Sequence, residues 1–239
     1  MKKSIFLLFV IFSTSQFFGQ EMTGSQLLEK AIEYHDPNGN WATFSGTFNV
    51  TMKTPTKSDR HSMIRIDLPN EYFNLYAIQD KTKYGYILDK EKCQINFNGN
   101  IATEKEKTAN NLSCERAKMY QNYYTYLYGL PMKLKDIGTI IHEKVALKKF
   151  KGKDYLVLKV TYKKEVGEDT WYFYFDPSSY AMKIYQFYHE EEKNDGEFIL
   201  LSGLEIVNGI KMPKKRAWYY NKGEKYLGTD FLSVAQRYD

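Results

Sequence analysis

Uninterrupted apolar runs are nearly missing from this 239-residue sequence. The clearest, Ile5 to Phe12, is far short of the roughly 20 residues that span a bilayer, so no transmembrane anchor is expected. Cysteine is scarce: there are two, Cys93 and Cys114, and neither lies near the N-terminus, where a lipid-modified residue would have to be. The motifs G-x-S-x-G, H-E-x-x-H and the P-loop are absent, and no other nucleophile or metal-ligand pattern takes their place. No catalytic residue, metal or cofactor is therefore expected, and the chain is not read as an enzyme. Charge of one sign is also lacking. The formal net charge is +5, or about +3 without Lys2 and Lys3, too weak a bias to argue for nucleic acid as a partner.

What is present begins with an export pattern. Lys2 and Lys3 precede the apolar run, and the small and polar residues Ser13 to Ser15 follow it, the order of a secretory signal peptide. A cut after Gly19 leaves Gln20 as the new N-terminus, with the bulky Phe17 an imperfect fit to the cleavage preference. Residues 1–19 are thus assigned as signal peptide and 20–239 as one domain, since about 220 residues suit a single all-β core. In an oxidising compartment a Cys93–Cys114 disulfide is expected and would contribute about 3 kcal/mol by chain entropy. Two buried free thiols are the alternative.

Leu27, Leu28, Ala31 and Ile32 repeat at helical spacing, with Thr23 or Ser25 as N-cap, and predict a helix from Thr23 to Tyr34. The turn-rich His35-Asp36-Pro37-Asn38-Gly39-Asn40-Trp41 ends it. Alternation then marks strands at Phe44–Met52, Ile64–Leu68, Tyr72–Ile78, Tyr84–Leu88 and Cys93–Phe97. Between Ser113 and Tyr128 the period changes: Tyr120, Tyr123, Tyr124, Leu127 and Tyr128 share one helical face, which Gly129 and Pro131 terminate. Strands resume at Leu156–Tyr162, Trp171–Phe175, Ala181–His189, Glu197–Ile206, Lys214–Tyr220 and Tyr226–Ala235. Short links favour antiparallel neighbours, and so many strands must curl. The expected fold is mainly β (α+β): an antiparallel curved sheet or half-open barrel of about ten or eleven strands with two covering helices.

Aromatic residues are abundant, with 21 Tyr, 15 Phe and 3 Trp making 16% of the chain. Rings of this kind either line an apolar hollow or pack a solid core, and the sequence leaves both open. Tyr124, Trp171, Phe173, Phe187 and Trp218 are the candidate ligand-binding residues, because large rings on adjacent strands and on the second helix would supply contact area. His35-Asp36 has the composition of a catalytic pair, but a helix C-terminus followed by an Asp-Pro turn accounts for it. His189-Glu190-Glu191-Glu192 reads as a charged hairpin tip, since consecutive strand residues point to opposite faces. The basic runs at Lys148–Lys151 and Lys211–Arg216 read as solvated turns or edge strands.

Tyr34-His35-Asp36-Pro37-Asn38-Gly39-Asn40-Trp41 and Tyr126-Leu127-Tyr128-Gly129-Leu130-Pro131-Met132-Lys133-Leu134 together resemble a family of exported, Bacteroidetes-type bacterial proteins of unknown function, over nearly the whole mature chain. More remotely, the order helix, meander, helix, meander resembles the LolA/LolB-like lipoprotein carriers. That resemblance implies a half-barrel sheltering acyl chains under helical lids, and no lipid-handling residue is carried over. The expectation is a soluble, monomeric, exported protein, most simply periplasmic, that holds a lipid, a lipoprotein's acyl chains or another hydrophobic small molecule without catalysis. A cell-envelope interaction or structural module is the alternative. A hydrolase of envelope polymers, using His35 and Asp36, is a third reading.

Overall fold

The computed structural model describes residues 21–234, so the expected signal peptide and Ala235 lie outside the described residues. The first helix, α1 (Gly24–His35), starts where its cap dictates. Thr23 Oγ1 accepts from the Gln26 amide at 3.2 Å while Gln26 Oε1 accepts from the Thr23 amide at 3.0 Å, which satisfies two amides that the helix itself leaves without acceptors. Its apolar stripe, Leu27, Leu28 and Ala31, is buried.

Six strands follow: β1 (Ser45–Lys53), β2 (Arg60–Asp67), β3 (Tyr72–Gln79), β4 (Thr82–Asp89), β5 (Lys92–Phe97) and β6 (Asn100–Ile101). After α2 (Glu104–Ala109) and α3 (Cys114–Gly129) come β7 (Thr139–Ile141), β8 (Ala146–Phe150), β9 (Lys153–Tyr162), β10 (Thr170–Phe175), β11 (Met182–Tyr188), β12 (Glu197–Val207), β13 (Ile210–Tyr220) and β14 (Tyr226–Val234). All pairings are antiparallel, in the order β6-β5-β4-β3-β2-β1-β14-β13-β12-β11-β10-β9-β7, with β8 also on β9. Two chain-ordered meanders are thus joined by β1 and β14, and the sheet is open, because β6 and β7 end its two edges. The chain must travel from one edge to the other between β6 and β7, and α3 lies on that path. It fills the concave face.

Tyr120, Tyr124 and Tyr128 of α3 pack against Tyr86 of β4 (ring centroids 5.6 Å apart), Phe73 of β3 (6.5 Å) and Phe48 of β1 (4.8 Å). The helix is held at its start by the Cys93–Cys114 disulfide to β5. It stops at Gly129, where a Cβ would come within 2.2 Å of Trp41 Cζ2, so the close approach of Trp41 requires glycine there.

Three strands beyond the eleven expected are β6, β7 and β8, of two, three and five residues, too short for alternation to register. The short α2 was likewise not signalled, because none of its residues is buried and no apolar stripe exists to be read. Two helices, α1 and α3, cover the sheet. The Lys148–Lys151 run lies at the β8 edge as expected, but Lys211–Arg216 does not fit a solvated turn or edge: it sits in β13, between β12 and β14. Met212, Pro213 and Arg216 are buried there while Lys214 and Lys215 face water. The run of cations concealed one that points inward.

Candidate functional site

The His35-Asp36 pair is structural. His35 is 2% exposed, its Nδ1–H donates to the Lys211 carbonyl at 2.6 Å, and its Nε2 accepts from the Met182 amide at 3.0 Å. The imidazole therefore pins the end of α1 to β13 and to the start of β11, and burial lowers its pKa to about 4. Asp36 turns away to accept from the amides of Asn40 and Trp41, both at 2.8 Å, closing the short helical turn at Asn40–Thr43. Both residues named for a hydrolase are thus occupied by backbone groups. His189 is at the tip after β11, bonded at 2.7 Å to Asp169, which holds its pKa above the ordinary value.

The middle of the concave face is solid. Tyr124 and Phe173 are buried in it, and half-buried Trp218 stacks on Tyr123 while its indole N–H donates to Asp230 at 3.2 Å. Toward the start of β10, alongside the second half of α3, a cleft of about 580 Å³ opens. Its walls are Gln121, Asn122, Thr125 and Tyr126 of α3, Tyr162 of β9, Trp171 of β10, Leu68 and the loop residue Val166. Trp171 is half-buried, stacked on Phe187 at 4.8 Å and edge-on to Tyr126 at 5.6 Å. Of the five rings named from sequence, Trp171 lines the cleft, Phe187 backs it, and Tyr124, Phe173 and Trp218 belong to the packed interior.

Tyr126 and Tyr162 hydrogen-bond through their hydroxyls, and burial raises both phenols, Tyr162 to about 12. They are neutral walls. Lys133 and Asp136 form an ion pair at the rim. Beside them Ile137 is 95% exposed and Val166 54%, with Val166 close against Gly138, so the mouth carries uncovered aliphatic side chains.

A second feature escaped the sequence reading. Arg216 is 1% exposed beneath α3, with its Nη1 donating to the Pro213 carbonyl at 2.9 Å and its guanidinium 3.9 Å from the centre of the Tyr128 ring. Opposite it in register stands buried Asp230, whose pKa is raised by desolvation against the pull of Arg216 and Arg60. One signal for Asp230 was available: period two places it on the same face as the core residue Leu232. The same period places Arg216 on the face of Trp218, a signal masked by the other cations in the row.

The fold defines a class, an open antiparallel sheet wound about a central helix, with a cleft between one side of that helix and the sheet. The chain belongs to the family described as "Family of unknown function (DUF6503)", whose model matches residues 2–234. Among curated proteins none matches. Among solved structures it is similar to a LolA superfamily protein from Nitrosomonas europaea, at 13% identity and a TM-score of 0.48. It is also similar to a DUF1329 family protein from Desulfovibrio piger, at 9% identity and a TM-score of 0.49. Each alignment covers 89% of this chain and 92% of the other. At these identities and scores the similarity carries nothing about ligand or activity.

Proposed function

We propose that this protein is an exported, non-catalytic binding protein that holds an acyl chain or other apolar ligand in the cleft beside Trp171. The observation that carries the reading is an indole left half-exposed on the floor of a cavity of about 580 Å³, inside the size range of small-molecule sites. Exposed Val166 at the mouth, with exposed Ile137 next in sequence to the rim residue Asp136, favours an apolar visitor, since lone aliphatic groups in water gain by being covered. The Tyr126–Tyr162 pair contributes a neutral wall, and of the charged lining residues Lys133 and Asp136 neutralise one another in an ion pair while Asp169 is bonded to His189. Export rests on the pattern of residues 1–19, and a periplasmic location is the simplest reading of it.

The test is native mass spectrometry of the mature protein purified from its own host's envelope, followed by lipid extraction. A stoichiometric apolar adduct, reduced by about tenfold in occupancy in Trp171→Ala, is expected from loss of the aromatic floor. A clean apo mass that incubation with lipids does not change would refute the reading.

A further inference from the structure

Arg60 opens β2 and Leu68, at the cleft, follows its last residue, so strand rise separates the two backbones by roughly 25 Å. At the Arg60 end the concave face carries an imbalance of charge. Arg60, Met52, Asp230 and Arg216 are successive cross-strand partners on β2, β1, β14 and β13, and Arg116 reaches toward the same end from the first turn of α3. Arg60 and Arg216 thus share one buried carboxylate, Arg116 adds a third guanidinium beside tyrosines, and among the described residues none of the three has a carboxylate oxygen within 4.0 Å. Asp230 is already engaged by Trp218 and by the Tyr123 hydroxyl at 3.4 Å.

Arg60 and Arg116 both lie against the Tyr120 ring, at 5.9 and 5.8 Å from its centre, and Arg60 donates to the Tyr124 hydroxyl at 3.3 Å. The ring faces offset part of the positive charge. They leave donors poorly met: Arg60 Nε, the hydroxyl of the fully buried Tyr86 and the hydroxyl of buried Ser62 make no hydrogen bond of good geometry, although the Tyr86 hydroxyl lies beside Arg116 and the Ser62 hydroxyl beside Tyr124. Tyr86 stacks obliquely on Tyr120 at 5.6 Å, and Ser62 follows Arg60 on the same face of β2. Buried donors without acceptors are rare because each costs about 1–3 kcal/mol. Two arginines beside them supply the planar donor forks that carboxylate and phosphate oxygens fit.

We propose that Arg60 and Arg116, with the Tyr86 and Ser62 hydroxyls, form an anion site for a phosphate group, distinct from the Trp171 cleft and independent of what that cleft holds. The group comes either from a lipid headgroup or from free phosphate. The half-exposed placement of Arg60 and Arg116 gives it a path from solvent.

The experiment is calorimetric titration of the mature protein with inorganic phosphate at low ionic strength, with co-sedimentation on phosphatidylglycerol and phosphatidylcholine vesicles. The variants are Arg116→Gln and, as a control of equal charge, Lys148→Gln on exposed β8. Arg116→Gln is expected to weaken binding about tenfold, as removal of a charge-assisted pair should, and Lys148→Gln to change it less than about twofold. Saturable binding of phosphate alone supports the free anion. Phosphatidylglycerol-selective sedimentation lost in Arg116→Gln supports the headgroup. Arg116→Lys, which keeps charge and loses the fork, should fall between the two. If neither probe binds, or if both Gln variants weaken binding equally, the site does not exist.

Discussion

Lowering the pH to 5 should destabilise this protein through one imidazole. His35 titrates near pH 6.5 in the unfolded chain and at about 4 in the folded one, first because burial disfavours the cation and then because Lys183, Lys211 and Arg216 repel it. Between those values the unfolded state binds the proton and the folded state does not, so the stabilisation is complete above pH 6.5 and is lost as pH falls toward 4. A shift of about 2.5 units is worth about 3 kcal/mol in full, and about 2 kcal/mol of it is gone at pH 5. In His35→Gln the amide can donate to Lys211 and accept from Met182 without titrating. Urea unfolding followed by tryptophan fluorescence at pH 8, 6.5 and 5, in both proteins, isolates the effect as a difference. Other titrating groups, Asp176 with its lowered pKa and Asp230 with its raised one, cancel in that difference. A gap between the two proteins that stays constant within about 0.5 kcal/mol from pH 8 to pH 5 would show that the imidazole is not held neutral by burial.

Gly129→Ala should lower stability by about 1–3 kcal/mol despite the better helix propensity of alanine, because its Cβ must displace the Trp41 ring and the Lys133 side chain; an unchanged thermal midpoint would contradict the close approach. Replacing Cys93 and Cys114 with serine frees a connection of 21 residues in sequence and should cost about 3 kcal/mol, read as a lower urea midpoint. An equal midpoint in the two proteins would mean that the bridge does not constrain the unfolded chain.

The elements were readable because local geometry writes them directly. Alternation at Phe48–Val50 or Ile64–Ile66 identifies strands with one buried face, and the four-tyrosine face of α3 identifies its helix before any contact is known. The role of His35 and Asp36 as a helix end and a turn was also readable, since each choice served the local backbone. The disulfide pairing was an expectation that spacing alone did not decide. Arg216 was overlooked because a lysine facing water and an arginine facing inward look alike in a basic strand, although period two puts it on the face of Trp218.

The period of the side chains and the turn residues, properties of neighbouring positions, determined the mainly β class, the two covering helices and the antiparallel links. Which strands join the two meanders was decided only in three dimensions, as β1 pairs with β14 across almost the whole described chain. The same holds for the rings. Trp171 and Phe173 are two residues apart on one face of β10 and carry the same sequence signal, yet Phe173 is fully buried in the core and Trp171 lies half-buried on the floor of the cleft. Whether a ring packs or stays available depends on which side chains from distant elements reach over it, a matter of tertiary placement that no local pattern encodes.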